Sequence, residues 1–228
     1  MVYKPKLMHC SVILLAAGQS QRLGINKLIL PYKPVQYSGI NKHQPIILHS
    51  LYSLIRANIP EIIIVLGYQG KIIKRIIQSS RIYRQGCIKT KIKFIYNRRY
   101  KTGMASSIST GMSQVLKHTD VVLIYLADKP GIKTKTIIQI ILHANHTRKS
   151  IVVPVYMNKE GHPVLFKKKY YSQLQKLYSP KTKRMQDYGA RNIINRYRSD
   201  ISRVKVDDIG IIQDIDTWQD YIRQIIAP

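Results

Sequence analysis

One Arg and one Lys close a run of small and polar residues in the stretch Leu15-Ala16-Ala17-Gly18-Gln19-Ser20-Gln21-Arg22-Leu23-Gly24-Ile25-Asn26-Lys27. Small side chains let backbone N–H groups approach an anion closely and form a concave nest. Arg22 and Lys27 place mobile positive charge over the same space. That is equipment for holding a triphosphate. The stretch is not a P-loop, because no Gly-Lys-Ser/Thr closes it, and it lacks the Gly-x-Gly-x-x-Gly of a dinucleotide-binding turn. Asp128 is the second residue that can carry chemistry. It ends the apolar run 121–127, where a buried charge is costly unless paired. A divalent cation would pair it, and Asp216 or Asp214 could add a second oxygen. Mg²⁺ takes one or two protein carboxylates and completes its shell with water and phosphate oxygens. Position alone leaves open that Asp128 caps the next turn, and that Asp214 and Asp216 are solvated or cap the last helix.

Ser106 and Ser107 stand behind Gly103, where a helix should begin. Serine there serves as an N-cap, and its hydroxyl and N–H groups can also meet a phosphate or a base. On residue type alone His162, beside Pro163, reads as structural. Arg191 reads as one more surface charge, and Trp218 as a core or helix-docking aromatic.

These residues need a scaffold that brings strand ends together. Apolar, β-branched runs at 10–16, 61–66, 91–96, 121–127 and 151–156 predict strands. Segments 45–57, 71–79, 105–117 and 134–146 predict helices between them. Such alternation, with near-continuous apolar strands, argues a mostly parallel sheet covered on both faces. Further on, 164–166 and 203–206 predict short strands, and 170–178, 187–195 and 218–226 predict helices. Residues 32–44 read as a long loop over the sheet edge, and 167–184 as a basic, Tyr-rich surface. No linker or repeat divides the 228 residues, so one domain is expected, with 1–130 as its nucleotide-binding part and 131–228 as its acceptor part. Open α/β sheets bind ligands at the carboxyl ends of their strands. The stretches after Leu15 and Tyr96, and Asp128 itself, lie there.

Composition narrows the function classes. At 45% apolar residues the chain can bury a sizeable core, yet no run of about 18 apolar residues predicts a membrane span. Two cysteines make neither a disulfide framework nor a zinc site, and fit a cytoplasmic chain. The apolar run behind Lys4 and Lys6 imitates a signal peptide but leads directly into the Arg22/Lys27 turn. The net charge of +27 attracts polyanions. Its basic residues are scattered rather than gathered, and the heavy use of Ile, Lys and Tyr reads as coding bias. With 38 Lys and Arg against 11 acids, a carboxylate at a strand end is hard to dismiss as surface filler.

Six motifs in order give the chain a family likeness. They are the Leu15–Lys27 stretch, Gly103-Met104-Ala105-Ser106-Ser107, Leu126-Ala127-Asp128-Lys129-Pro130, Gly161-His162-Pro163, Asp187-Tyr188-Gly189-Ala190-Arg191 and Asp214-Ile215-Asp216. Over almost its full length the chain resembles the molybdenum cofactor cytidylyltransferase family, nucleotidyltransferases that attach a nucleotide to molybdopterin. Lys129 stands where that family often has Gln, Gln186 where Gly is usual, and Trp218 where Pro is common. The resemblance implies a three-layer α/β/α, Rossmann-like fold of the nucleotide-diphospho-sugar transferase type. It implies a Mg²⁺-dependent transfer of CMP from CTP to molybdopterin with release of pyrophosphate. Arg22, Lys27 and Asp128 would be catalytic, and Asp128 and Asp216 would hold the metal. Leu15, Ala16, Ala17, Gly18, Ser20, Gly103, Ser106 and Ser107 would bind the nucleotide with Arg22 and Lys27. His162, Pro163, Asp187, Gly189 and Arg191 would face the acceptor. Lys27 and Asp128 are expected on opposite sides of one bound pyrimidine nucleotide. A molybdenum hydroxylase is the implied client; membrane and nucleic acid are not expected partners. The alternatives are a relative acting on a sugar phosphate or other phosphate acceptor, and a non-catalytic basic protein binding nucleic acid or the cofactor.

Overall fold

Apolar runs that read the same on both faces become the strands at the centre of the sheet. The structure is a computed structural model and describes residues 8–32, 43–178 and 189–226. In chain order the strands are β1 (Cys10–Ala16), β2 (Pro31–Tyr32), β3 (Gln44–Pro45), β4 (Glu61–Leu66), β5 (Lys91–Tyr96), β6 (Val121–Leu126), β7 (Ile151–Tyr156), β8 (Lys159–Glu160), β9 (Val164–Lys167) and β10 (Ile201–Lys205). The α-helices are α1 (Ile46–Arg56), α2 (Gly70–Ser79), α3 (Arg81–Gly86), α4 (Met104–Met112), α5 (Thr134–His146), α6 (Tyr171–Gln175), α7 (Arg191–Arg196) and α8 (Trp218–Ile226).

The main sheet has the order β10-β7-β9-β6-β1-β4-β5, with β8 added to β7. β1 pairs in parallel with β4 on one side and β6 on the other. Chain order therefore reverses at β1, which makes its carboxyl end a topological switch point, the place where such sheets bind ligands. β9 is the reversed strand, antiparallel to both β6 and β7. Strands from both halves of the chain thus share one continuous sheet.

Each strand divides its side chains between two cores. Val12, Leu14, Ile62, Ile64, Leu123 and Tyr125 pack on one face under α1, α2 and α5. Ile13, Ile63, Val65, Val122 and Ile124 pack on the other with Ile108 and Met112 of α4, Leu174 of α6 and Ile193 of α7. This is the three-layer α/β/α arrangement expected from the sequence, with a mixed, mostly parallel sheet.

Several boundaries differ from the sequence reading. α4 stops at Met112 rather than running to residue 117, because its last turns tighten to i→i−3 bonds, Gln114 to Gly111 and Val115 to Met112. The helix expected over 187–195 occupies Arg191–Arg196, and that expected over 170–178 shrinks to α6 behind a 3₁₀ turn. The strand expected at 203–206 is Ile201–Lys205, set by its parallel register on Ile151–Val155. Trp218 is 41% exposed and is not the docking aromatic. Tyr221 takes that role, buried and donating its hydroxyl to the Pro31 carbonyl at 2.5 Å. Most of the 32–44 connection lies outside the described residues. Among those described, no helix is long and apolar enough to cross a membrane.

After β10 the chain returns as a strap across the carboxyl ends of the strands. Its 3₁₀ turn, Ile209–Ile211, lies so close to Gly131 and Gly161 that a Cβ at Gly161 or Gly210 would meet opposing backbone. Asp208 anchors the strap. Its carboxylate, 1% exposed, accepts the Lys133 amide at 2.8 Å, the Thr136 hydroxyl at 2.6 Å and the Gly210 amide at 3.0 Å. It caps α5 from a distance, since the N-cap residue Lys133 makes no side-chain cap bond. Asp208→Ala leaves two buried donors and one half-buried donor without an acceptor, so urea denaturation is expected to show a loss of about 3 kcal/mol.

Candidate active site

Parallel register brings the site's two halves together. Leu15 of β1 pairs with Leu126 of β6, and the Ala127 amide extends the ladder onto the Leu15 carbonyl at 3.1 Å. The loop after β1 and the residue after Ala127 therefore leave the sheet side by side. That loop is pinned at its base by buried Leu23 and Leu28. Asn26, 1% exposed, caps the 3₁₀ turn at Lys27 by accepting from the Leu28 amide and donates to the Tyr68 carbonyl. Ser20, at φ +53°, accepts from the Lys27 amide at 3.1 Å.

Lys27 is the centre of the charge arrangement. Its Nζ lies 2.6 Å from Asp128 Oδ2 and 2.8 Å from Asp216 Oδ1. Arg22 Nη1 reaches the other oxygen of Asp216 at 3.3 Å. Burial on its own would depress the Lys27 ammonium, but Asp128 and then Asp216 outweigh it, and the group is held above its ordinary value. Lys27 and Asp128 share one pocket as expected. They stand in contact, however, rather than across it from one another. Asp216 joins them and Asp214 does not, because the strap turns Asp214 toward Lys129 at 2.8 Å.

The pocket around this cluster has a volume of about 500 Å³. Leu15, Ala17, Gly18, Ser20, Arg22, Lys27, Gly103, Ser107, Asp128 and Asp216 line it, while Ala16 and Ser106 sit buried behind the wall. The amides of Gly18, Gln19, Ser20, Gln21 and Arg22 have no intramolecular acceptor among the described residues, and all five residues line the pocket. Gly103 begins α4 at φ +110°, a conformation that favours glycine. Ser106 and Ser107 are not its N-caps. Ser106 returns its hydroxyl to the Gly103 carbonyl at 2.8 Å, and Asn97 Nδ2 donates to both hydroxyl oxygens at 2.8 and 3.0 Å. Among the described residues the Ser107 hydroxyl proton has no acceptor.

The residues expected at the acceptor lie outside that pocket lining. His162 donates its amide to the Ile211 carbonyl at 3.0 Å, Pro163 is buried, and Arg191 is exposed. Gly189 meets Met104 at the pocket rim. Asp187 falls outside the described residues. The His162 Nδ1 is shut off from solvent with no partner among the described residues. Burial first, then Lys129, pulls this imidazole down to about 4, against the opposing effect of Asp128. Tyr100, Lys101, Met104 and Gln19 also line the pocket. Sequence reading missed them as site residues, although they stand within or beside its motifs.

The donor set fits a hard divalent cation. Two carboxylates converge on the Lys27 ammonium, and Mg²⁺ needs no more than such a pair from protein when phosphate oxygens complete its shell. Among the described residues no three His, Cys, Asp or Glu side chains gather as a metal cage, so the fit rests on that pair.

Comparison with known proteins bears on the family and the fold. The profile of the MobA-like NTP transferase domain matches residues 12–201. Among solved structures, Rv0371c from Mycobacterium tuberculosis H37Rv superposes with a TM-score of 0.75 at 22% identity, covering 97% of this chain and 100% of that one. Its complex with manganese gives 0.71 at 20% identity, with the same coverage. The 4-diphosphocytidyl-2C-methyl-D-erythritol synthase from Anaerococcus prevotii gives 0.68 at 17% identity, covering 97% and 98%. At these identities the likeness shows the fold. No curated protein sequence matches.

The His162 ring gives the fold a pH signature. Folding favours the neutral imidazole, so the unfolded chain takes up the proton first as pH falls. The stabilisation is complete above the ordinary value of 6.5 and is lost between 6.5 and about 4. Urea midpoints followed through that range are expected to decline. His162→Gln, which cannot protonate there, is expected to make the decline shallower; an unchanged slope would remove His162 as its source.

Proposed function

From the premise that the chain belongs to the MobA-like NTP transferase domain family, and is accordingly a nucleotidyltransferase, we propose that it transfers CMP from CTP to the terminal phosphate of molybdopterin. One observation carries the chemistry: the Lys27 ammonium between the Asp128 and Asp216 carboxylates, beside a run of amides that lack acceptors among the described residues. An oxygen of the acceptor phosphate attacks the α-phosphorus of CTP. The bond from that phosphorus to the bridging oxygen of the β-phosphate breaks, and pyrophosphate leaves with the electron pair.

A phosphate monoester is already an anionic nucleophile, so no general base is needed. The residues here have two tasks, in-line positioning and charge neutralisation. The Gly18–Arg22 amides hold the triphosphate oxygens, and Arg22 and Lys27 stabilise the charge that grows on the leaving pyrophosphate. Asp128 and Asp216 would hold Mg²⁺, which when bound supplies Lewis-acid neutralisation at the phosphate oxygens. The Ala17 side chain on the pocket wall favours a pyrimidine by narrowing the space for a purine ring. Met104 on Gly189, and the proximity of His162 to Asp128 and Arg191, support an acceptor path on the strap side of the pocket.

A pyrophosphate-release assay with the four nucleoside triphosphates tests the reading, with molybdopterin or a sugar phosphate as acceptor. CTP with molybdopterin is expected to give the fastest release. Lys27→Ala or Asp128→Asn is expected to lower turnover by about 100-fold or more with the far-UV circular dichroism unchanged. Ala17→Gly is expected to narrow the preference for CTP over GTP. Faster release with GTP would reject the base assignment, and release only with the sugar phosphate would reject the acceptor.

A further inference from the structure

Lys129 is the motif residue that the reaction leaves without a task, and it stands where the resembling family often has Gln. It is 3% exposed. A buried ammonium is costly without partners, and both partners of this one lie on the C-terminal strap. Its Nζ is 2.8 Å from Asp214 Oδ1 and donates to the Gln213 carbonyl at 3.2 Å. Its own carbonyl accepts from the buried Tyr125 hydroxyl at 3.3 Å, which fixes the base from which the side chain reaches.

What Lys129 grips sits two residues before Asp216. Between them Ile215 is fully buried, and Gln224 of α8 donates to the Asp214 carbonyl at 3.0 Å. Immediately after Asp216, Thr217 and Asp220 cap α8 reciprocally. The Thr217 amide donates to Asp220 Oδ2 at 2.9 Å, and the Asp220 amide to Thr217 Oγ1 at 3.2 Å. Asp216 is thus held on both flanks while its own side chain, 45% exposed, points to Lys27. The dipeptide Asp128-Lys129 supplies one carboxylate to the site and the cation that pins the segment carrying the other.

We propose that Lys129 is a positioning residue, which with Asp214 fixes the strap so that Asp216 faces Asp128 as the second carboxylate of a divalent-cation site. The inference rests on the reading of those two aspartates as metal ligands. Residues that orient a ligand from behind control metal affinity strongly, although they never touch the ion.

The geometry makes an expectation opposite in sign to simple electrostatics. Removing a cation beside Asp128 should tighten binding of another cation if charge alone matters. Loss of the positioning should weaken it. The probe is Mn²⁺ alone, titrated into the full chain and followed by the electron paramagnetic resonance signal of the free ion. Lys129→Gln is expected to bind Mn²⁺ about tenfold more weakly than the unsubstituted chain, and the apparent Mg²⁺ requirement for pyrophosphate release is expected to rise with kcat recovered at saturating Mg²⁺. Binding as tight or tighter overturns the proposal. If Lys129→Gln fails to fold, the exposed Asp214 carries the test. Asp214→Asn is expected to weaken Mn²⁺ by about tenfold more than Asp207→Asn, which removes an equal charge from the strap outside this contact; equal losses overturn the proposal. A chain that binds Mn²⁺ through Asp128, yet releases no pyrophosphate from any nucleotide, would sink the reaction and leave the positioning role standing.

Discussion

A single ammonium shared by two carboxylates organises the carboxyl edge of this sheet. Lys27, Asp128 and Asp216 come from the loop after β1, the end of β6 and the C-terminal strap, segments far apart in the chain. Lys27, with a side chain only 11% exposed, would be costly to bury as an ion without these partners. The three-way contact therefore ties the loop, the central strand and the strap to one another. It also concentrates in one pocket the charges that a phosphoryl-transfer reaction needs.

The strap shows how a sheet made from local βα units acquires a site from its far end. Three buried or half-buried side chains hold it in sequence. Asp208 accepts donors from the start of α5, Lys129 grips residues 213 and 214, and Tyr221 of α8 reaches the Pro31 carbonyl. Close backbone approach at Gly131, Gly161 and Gly210 lets the strap lie flat on the strand ends. Asp216 lies between the Lys129 and Tyr221 anchors, and its side chain turns into the pocket while Asp214 turns to Lys129.

The central strands were legible because a parallel strand buried on both faces must be apolar at nearly every position, as in 61–66 and 121–126. Ends of helices were less legible. The termination of α4 at Met112 follows from tightening of its last turns around Gly111, whose Cα lies against Ile13 of β1, and no residue pattern announces that contact. The serines at 106 and 107 looked like caps because serine at a helix start usually is one. Asn97, directly after β5 and nine and ten residues before them, donates to both oxygens instead. Trp218 looked like a core aromatic by type, yet Tyr221 is the ring on the inner side of α8.

Residue types and spacing alone determined the α/β alternation, the small-residue loop after β1 and the short set of charges able to serve phosphate chemistry. These are local properties, set by backbone freedom, periodicity and the cost of burying an ion. The tertiary structure decided which aspartate of the 214–216 pair meets Lys27, that Lys27 and Asp128 touch rather than face each other, and what the buried Lys129 holds. Those outcomes depend on strand register and on how the strap lies over the sheet, distances that a linear order of residues does not contain.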